Sequence, residues 1–305
     1  MFGVLLVTFA LVHAVPGDPA LLLAGEGASA ARVQEVRHQL GSDRPLARQF
    51  ITYVTKVAHG DLGDSTSLGQ PVTTVLAQRV RPTLLLGGTA LLISIVGGLF
   101  LGLTAARRPF GATDHVVSTV SLVGYATPAF WLAQIAALVL SVHLGWVPLL
   151  GYTDARHHFT GFNHLSDIAY HLALPATVLA ISEMALLTRV TRSGLVQEAG
   201  RDYVRTAKAK GLPDDRILSH HVMRNALLPV VTVIGTRVGF LFSGAVVIET
   251  VFSWPGLGSV ITSAARDGDR EMMIGLVLLV SLCVILANLV TDVMYGWIDP
   301  RVRDH

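Results

Sequence analysis

Five long stretches of the chain are almost wholly apolar, at about residues 83–106, 116–142, 171–188, 226–248 and 272–296. A segment that crosses a bilayer needs about 20 such residues, and it must be helical because no water is present to satisfy an open backbone. Each stretch is therefore expected to be a membrane helix. The third, HLALPATVLAISEMALLT, is the weakest because Glu183 interrupts it. Pro128 and Pro175 are expected to mark kinks or helix starts. Only 14% of the residues are charged, against about 25% in an ordinary soluble domain. A net charge of +2 supplies no basic field for nucleic acid. Cys283 is the single cysteine, which excludes an internal disulfide and a paired-thiol metal site.

The beginning, MFGVLLVTFALVHAV, is apolar but short, roughly 22 Å as a helix at 1.5 Å per residue. VHA at 12–14 passes as a weak cleavage site, yet the basic leader of a signal peptide is missing. We expect residues 1–15 to be a first membrane helix that lacks its cytoplasmic beginning, with a signal peptide as the alternative. The expected fold is then an all-α polytopic membrane protein with six transmembrane helices.

Six crossings put both termini on one face. On that face the short segments 107–114 and 189–225 and the tail after 297 carry twelve Lys and Arg, and the opposite short segments carry three. The positive-inside rule places the twelve, and both termini, in the cytoplasm. Residues 16–82 would lie outside. That segment has helical spacing in AARVQEVRHQL and LARQFITYVTKVAHG, followed by a turn at Gly60 and Gly63. The expected division is a first helix over 1–15, an external helical segment over 16–82, a transmembrane core over 75–297 containing the loop 189–225, and a cytoplasmic tail over 298–305.

The densest cluster of positive charge is YVRTAKAKGLPDDRILSHHVMRNALLP, residues 203–229. Gln197 to Lys210 reads as a helix, and Gly211 as a helix-ending residue able to take positive φ. Pro213, Asp214 and Asp215 suit the first turn of a second helix. Tyr203, Thr206, Ala207 and Lys210 share one face by spacing, a small surface against which another protein can pack. The alternative is a solvated basic loop attracted to anionic lipid heads.

This stretch resembles the cytoplasmic loop of ATP-binding-cassette importer permeases, in the dipeptide/oligopeptide/nickel subfamily. The general family pattern E-A-A…G is met here by Arg205, Thr206, Ala207 and Gly211, so its Glu and first Ala are replaced. Where the general family has Leu-Pro, this chain has Met223 and Arg224. YVRTAKAKG followed by RNALLP is similar to the peptide subfamily. VPGDPA at 15–20, GDLGDS at 60–65, PVTTVLAQRVRPTL at 71–84, TPAFWLA at 127–133, LGWVP at 144–148, ETVFSWPGLG at 249–258 and IDPRVR at 298–303 fall in the family order. That order is most similar to the B-type permease of a dipeptide system. The basic stretch that family members carry before the first helix is absent.

The resemblance implies a type I importer permease in a bacterial inner membrane. It implies a second homologous permease, two ATPase subunits and an external solute-binding protein as partners, and a peptide substrate. ATP and magnesium would belong to the ATPases, and Tyr203, Arg205, Thr206, Ala207, Lys210 and Gly211 would couple to them. The residues agree that this chain is no motor: Lys56, Lys208 and Lys210 are its only lysines and none follows a glycine, so it has no Walker A loop. We expect neither nucleotide nor metal here, and no catalysis.

Charges inside a membrane are costly and face a bundle interior or a wet cavity. Glu183 and Arg237 each lie about twelve residues into antiparallel helices, so both fall near mid-depth. They are candidates to line the pathway, with a buried structural pair as the alternative. Phe252, Trp254, Pro255 and Gly256 are candidates for an outer gate, with interfacial anchoring of a helix end as the alternative. The segment 16–82 is expected to receive the solute-binding protein, or else only to cap helix ends. His157 and His158 read as solvated, and His220 and His221 as packing residues. No HExxH or GxSxG spacing supports an enzyme. Cargo stays open between peptide, nickel chelate, haem and oligosaccharide. An ion-gradient secondary transporter is the rival of a different class, though no internal repeat is visible.

Overall fold

The computed structural model describes residues 2–14, 28–157, 159–213 and 216–298. VPGDPA at 15–20, Asp214, Asp215, His158 and the tail from 299 lie outside the described residues, as do the side chains of His220 and His221. Among the described residues the chain is helical, with one isolated bridge between Asp64 and Pro71 and no strand. Among the described residues, three helices are long and apolar enough to cross a membrane: Val72–Arg107, Gly161–Ala199 and Arg270–Thr291. A fourth crossing is formed if the bent pair Ala112–Ala126 and Ala129–His143 is one span.

The chain forms two compact units. One comprises Met1–Gln78 and Ser263–Leu282. In it, α1 (Phe2–Ala14) packs on α3 (Leu46–Ala58) through aromatic rings, with Phe9 and Phe50 edge to face at 5.2 Å. Between them in sequence, α2 (Ala30–Leu40) starts where Ser29 accepts the Arg32 N–H and stops at Gly41, φ 69°. Asp269 is fully buried and accepts hydrogen bonds from the hydroxyls of Ser65 (2.5 Å) and Ser67 (2.7 Å) and from the Ser67 and Met272 N–H groups. One carboxylate thus holds the 60–71 loop and caps the following helix.

The second unit comprises Arg79–Thr262 and Cys283–His305. The long α4 (Val72–Arg107) runs into it and lies against α7 (Gly161–Ala199). Gly97, Gly98 and Gly102 permit that approach. A Cβ on Gly98 would stand 2.6 Å from Leu187 Cβ, and one on Gly102 2.6 Å from Thr191 Cβ. Small residues at one-turn spacing let membrane helices approach closely, since lipid offers no hydrophobic drive for association. Ser94 Oγ adds a bond to Ala180 O across the same seam, 3.0 Å.

Helix α5 (Ala112–Ala126) ends because Thr127 precedes a proline and is forced to extended backbone, ψ 125°. Pro128 then opens α6 (Ala129–Ala136), which continues as a π-turn over Ala137–His143, and the pair is bent by 102°. Pro175, in contrast, sits inside α7, which continues through it and through Glu183. The weakest apolar stretch of the sequence is therefore part of a 39-residue helix.

The helix expected over Gln197–Lys210 is broken. Helix α7 stops at Ala199, Gly200 and Arg201 form a tight turn, and α8 (Asp202–Ala209) starts afresh. Gly200 is a poor helix residue, and Asp202 suits a new N-terminus. Gly211 has φ 77°, as its expected role requires. A π-turn (Ile217–Val222) and the short α9 (Met223–Ala226) lead into α10 (Leu228–Val251), followed by α11 (Leu257–Asp267) and α12 (Arg270–Ile298).

Candidate functional site

Three places carry the residues singled out in the sequence. The first is the loop after α7. Val204 and Ala207 of α8, three apart, both turn inward to a core of Leu195, Ile217, Val222 and Ala226. Leu103 and Ala106, near the end of α4, pack on the same core. The expected common face is therefore split. Ala207 is buried, while Tyr203, Arg205, Thr206, Lys210 and Gly211 are exposed. The Tyr203 hydroxyl donates to Glu198 Oε2 at 2.8 Å and accepts from Asn225 Nδ2 at 3.4 Å, tying α7, α8 and α9 together. Burial, reinforced by the Glu198 carboxylate, pushes its pKa above the ordinary phenol value, so it remains a donor. A Cβ on Gly194 would stand 2.7 Å from Ala226 O. The loop is thus packed closely on α7 and on the end of α4.

The second place is the Glu183–Arg237 pair. Arg237 Nε lies 3.3 Å from Glu183 Oε2, and Nη1 lies 3.4 Å from Oε1. Each side chain keeps about a third of its exposure, 28% for Glu183 and 30% for Arg237. The two charges are brought together as equal depth implied, in a setting that is neither sealed nor open.

The third place is the turn after α10. Trp254 is fully buried and its indole N–H donates to Pro82 O at 2.9 Å. Phe252 is buried with it, and Tyr152 meets the Trp254 ring edge to face at 4.8 Å. Interfacial anchoring by Trp254 is not what the structure has, since both rings are in a core with Leu86, Leu172, Leu174, Val178 and Ile248. Gly256 is buried, and Pro255 is half-buried.

Two buried polar groupings are not legible in the sequence. Glu249, fully buried at the end of α10, accepts from Thr83 Oγ1 at 2.7 Å and from Gly258 N at 2.6 Å, while Thr83 Oγ1 accepts the Leu257 N–H at 2.8 Å. Asp114, buried at the start of α5, pairs with Arg192 on α7 through both Nε and Nη2, and accepts the Phe110 N–H at 2.7 Å. Phe110 sits at φ 64° with its side chain 76% exposed. The available signal was an acid placed at the edge of an apolar block, where a carboxylate needs a partner.

Residues 98–304 match the family described as the binding-protein-dependent transport system inner membrane component. The chain belongs to this family. Residues 1–82 match the companion description for the N-terminal part of such membrane components. The chain is 39% identical to the dipeptide transport system permease protein DppB of Escherichia coli (strain K12), over 99% of this chain and 94% of that protein. It is 40% identical to the di/tripeptide transport system permease protein DppB of Pseudomonas aeruginosa, over the same shares. It is 34% identical to the oligopeptide transport system permease protein AppB of Bacillus subtilis, over 99% of this chain and 95% of that one. In fold it is similar to a chain of the inward-facing MetNI methionine ABC transporter, with TM-score 0.58 and 16% identity over 74% of this chain and 96% of that one. A chain of an amino acid ABC transporter solved with histidines is also similar, with TM-score 0.52 and 15% identity over 75% and 94%.

Proposed function

We propose that this chain is the permease subunit of an ATP-driven importer of dipeptides or oligopeptides. It crosses the bacterial inner membrane six times, by α1, α4, the bent pair α5–α6, α7, α10 and α12, with both termini in the cytoplasm. It forms the pathway with a second, homologous permease and receives peptide from an external solute-binding protein. Two ATPase subunits hold the ATP and magnesium, and this chain binds neither. What carries this reading is the 39% identity to a dipeptide permease along 99% of the chain.

The α8 loop is the handle on which an ATPase pushes. Tyr203, Arg205, Thr206, Lys210 and Gly211 form the outer surface, and Ala207 seats it on the core shared with α4 and α7. Glu183 and Arg237 line the pathway near mid-depth. The turn bearing Phe252, Trp254, Pro255 and Gly256 closes the outer side. The test is to express the tagged chain with its genomic neighbours, solubilise it mildly and identify what co-purifies. A second permease and P-loop ATPases should be recovered, and the ATPases should be lost on Gly211→Pro or Ala207→Asp. Recovery of the chain alone, active in vesicles with an ion gradient and no ATP, would sink the reading.

A further inference from the structure

The outer turn is fastened by two residues outside it, Glu249 and Thr83. The Thr83 hydroxyl has one proton and faces two acceptors: Glu249 Oε1 at 2.7 Å, and the Arg79 carbonyl at 3.3 Å on its own helix. The shorter bond ties α4 to α10. The same hydroxyl oxygen accepts the Leu257 N–H at 2.8 Å, and the second Glu249 oxygen accepts the Gly258 N–H at 2.6 Å. These are the first amides of α11, which no intrahelical carbonyl can reach. Glu249 and Thr83 are almost wholly shielded from solvent, at 0% and 3% exposure, so water cannot replace either partner.

The glycines of the turn follow from this arrangement. A Cβ on Gly256 would overlap the Glu249 carboxylate, and one on Gly258 would stand 2.9 Å from Glu249 Oε2. Trp254 adds its indole bond to Pro82 O, one residue before Thr83. Gly151 N donates to Phe252 O at 2.9 Å, so the loop after α6 is tied to the same turn. These bonds tie the turn to α4, α10 and the 144–152 loop.

We propose that Glu249 and Thr83 are the positioning residues of the outer closure: they make turn 252–258 one rigid body with α4 and α10, so that the outside opens only when those helices move. This rests on the importer reading, with the turn on the outer side. Neither residue contacts cargo. They act by keeping the turn seated, so that the pathway is closed whenever the helices are in the closed arrangement.

The variants for the test are Thr83→Val, which keeps the shape and removes the hydroxyl, Thr83→Ser, which keeps the hydroxyl, and Glu249→Gln, which keeps the volume and one acceptor. Each is purified in the full complex and reconstituted in vesicles. A role in folding alone lowers uptake and ATP hydrolysis together, in proportion to the complex recovered. A seated closure that loosens instead uncouples the two. With Thr83→Val, the ATP hydrolysed per labelled dipeptide imported should rise about fivefold, the population shift expected for losing one net hydrogen bond. Leak of preloaded dipeptide without ATP should appear, and Thr83→Ser should restore both to wild type. Glu249→Gln should move both readouts in the same direction but less. Wild-type coupling and no leak in assembled Thr83→Val and Glu249→Gln would overturn the proposal. Failure of both variants to assemble, with Thr83→Ser intact, would overturn it in favour of a folding role. No ATP-driven dipeptide uptake by the wild-type complex would remove the importer reading, and the proposal with it.

Discussion

Arg237 Nε lies 3.3 Å from Glu183 Oε2, joining the middle of α10 to the middle of α7. Removing one member leaves a charge without a partner in a partly dry site, whereas removing both leaves two neutral groups of similar size. Glu183→Gln or Arg237→Gln should therefore destabilise the purified chain by about 1–2 kcal/mol, discounted for partial exposure. The double variant should recover part of that loss in a melting experiment. If the pair lines the pathway, the double variant should assemble and yet lose uptake. Loss of assembly would assign the pair to structure alone.

These two charges were legible in the sequence because each interrupts an apolar block at a similar depth. The helices were legible for a related reason, since hydropathy over about 20 residues outweighs local propensity inside a membrane. Even Pro175 and Glu183 fail to stop α7. What could not be read is whatever depends on residues far apart. Glu249 finds its hydroxyl partner 166 positions away, and Asp114 its guanidinium 78 away. Trp254 reads as an interfacial aromatic until Pro82 O is seen to accept its indole proton. Ala207 reads as an outward contact until it is seen beside Val204 against Leu195, Ile217 and Ala226.

The glycine seam makes a graded prediction. Gly98 faces Leu187 Cβ and the Thr188 backbone, neither of which can swing aside, whereas nothing lies within 4 Å of a Cβ on Gly88. Gly98→Ala should cost about 1–3 kcal/mol by forcing α4 and α7 apart. Gly88→Ala on the same helix should be neutral or slightly stabilising, as Ala is the better helix former. Melting temperatures of the two variants in one detergent settle the order.

Asp269 predicts a pH dependence. Burial alone would raise its pKa, but the bonds from Ser65, Ser67 and the Met272 N–H outweigh burial and hold it below the ordinary value. A carboxyl depressed in the folded chain binds protons more readily when unfolded. Its contribution is therefore complete above the unfolded pKa of about 3.9 and is lost as pH falls through the lower folded value. Wild type should lose stability over that acid range. Asp269→Asn should be less stable at neutral pH and should lack this part of the acid dependence. Melting curves from pH 3 to 7 for both chains test it, and parallel curves would refute it.

The Asp114–Arg192 pair makes the sharpest stability prediction. Asp114 is 2% exposed, and its two oxygens are taken up by Arg192, Ser118 and the Phe110 N–H. Arg192→Gln strands a buried carboxylate and should cost about 3–5 kcal/mol. Asp114→Asn with Arg192→Gln should cost clearly less, since no charge is then left unpaired. Phe110 provides the control. It is not glycine yet sits at φ 64°, a left-handed conformation that costs an L-residue roughly 1–2 kcal/mol. Phe110→Gly removes that cost and forfeits the ring's contact with the Arg192 guanidinium, 5.9 Å from its centre, in a side chain that is otherwise 76% exposed. In an otherwise wild-type chain it should be neutral to stabilising by up to about 1 kcal/mol. If Asp114 is what holds the turn in this shape, Phe110→Gly should recover part of the loss caused by Asp114→Asn. A double-mutant cycle read by thermal melting measures that recovery, and strict additivity would show that the carboxylate and the turn are independent.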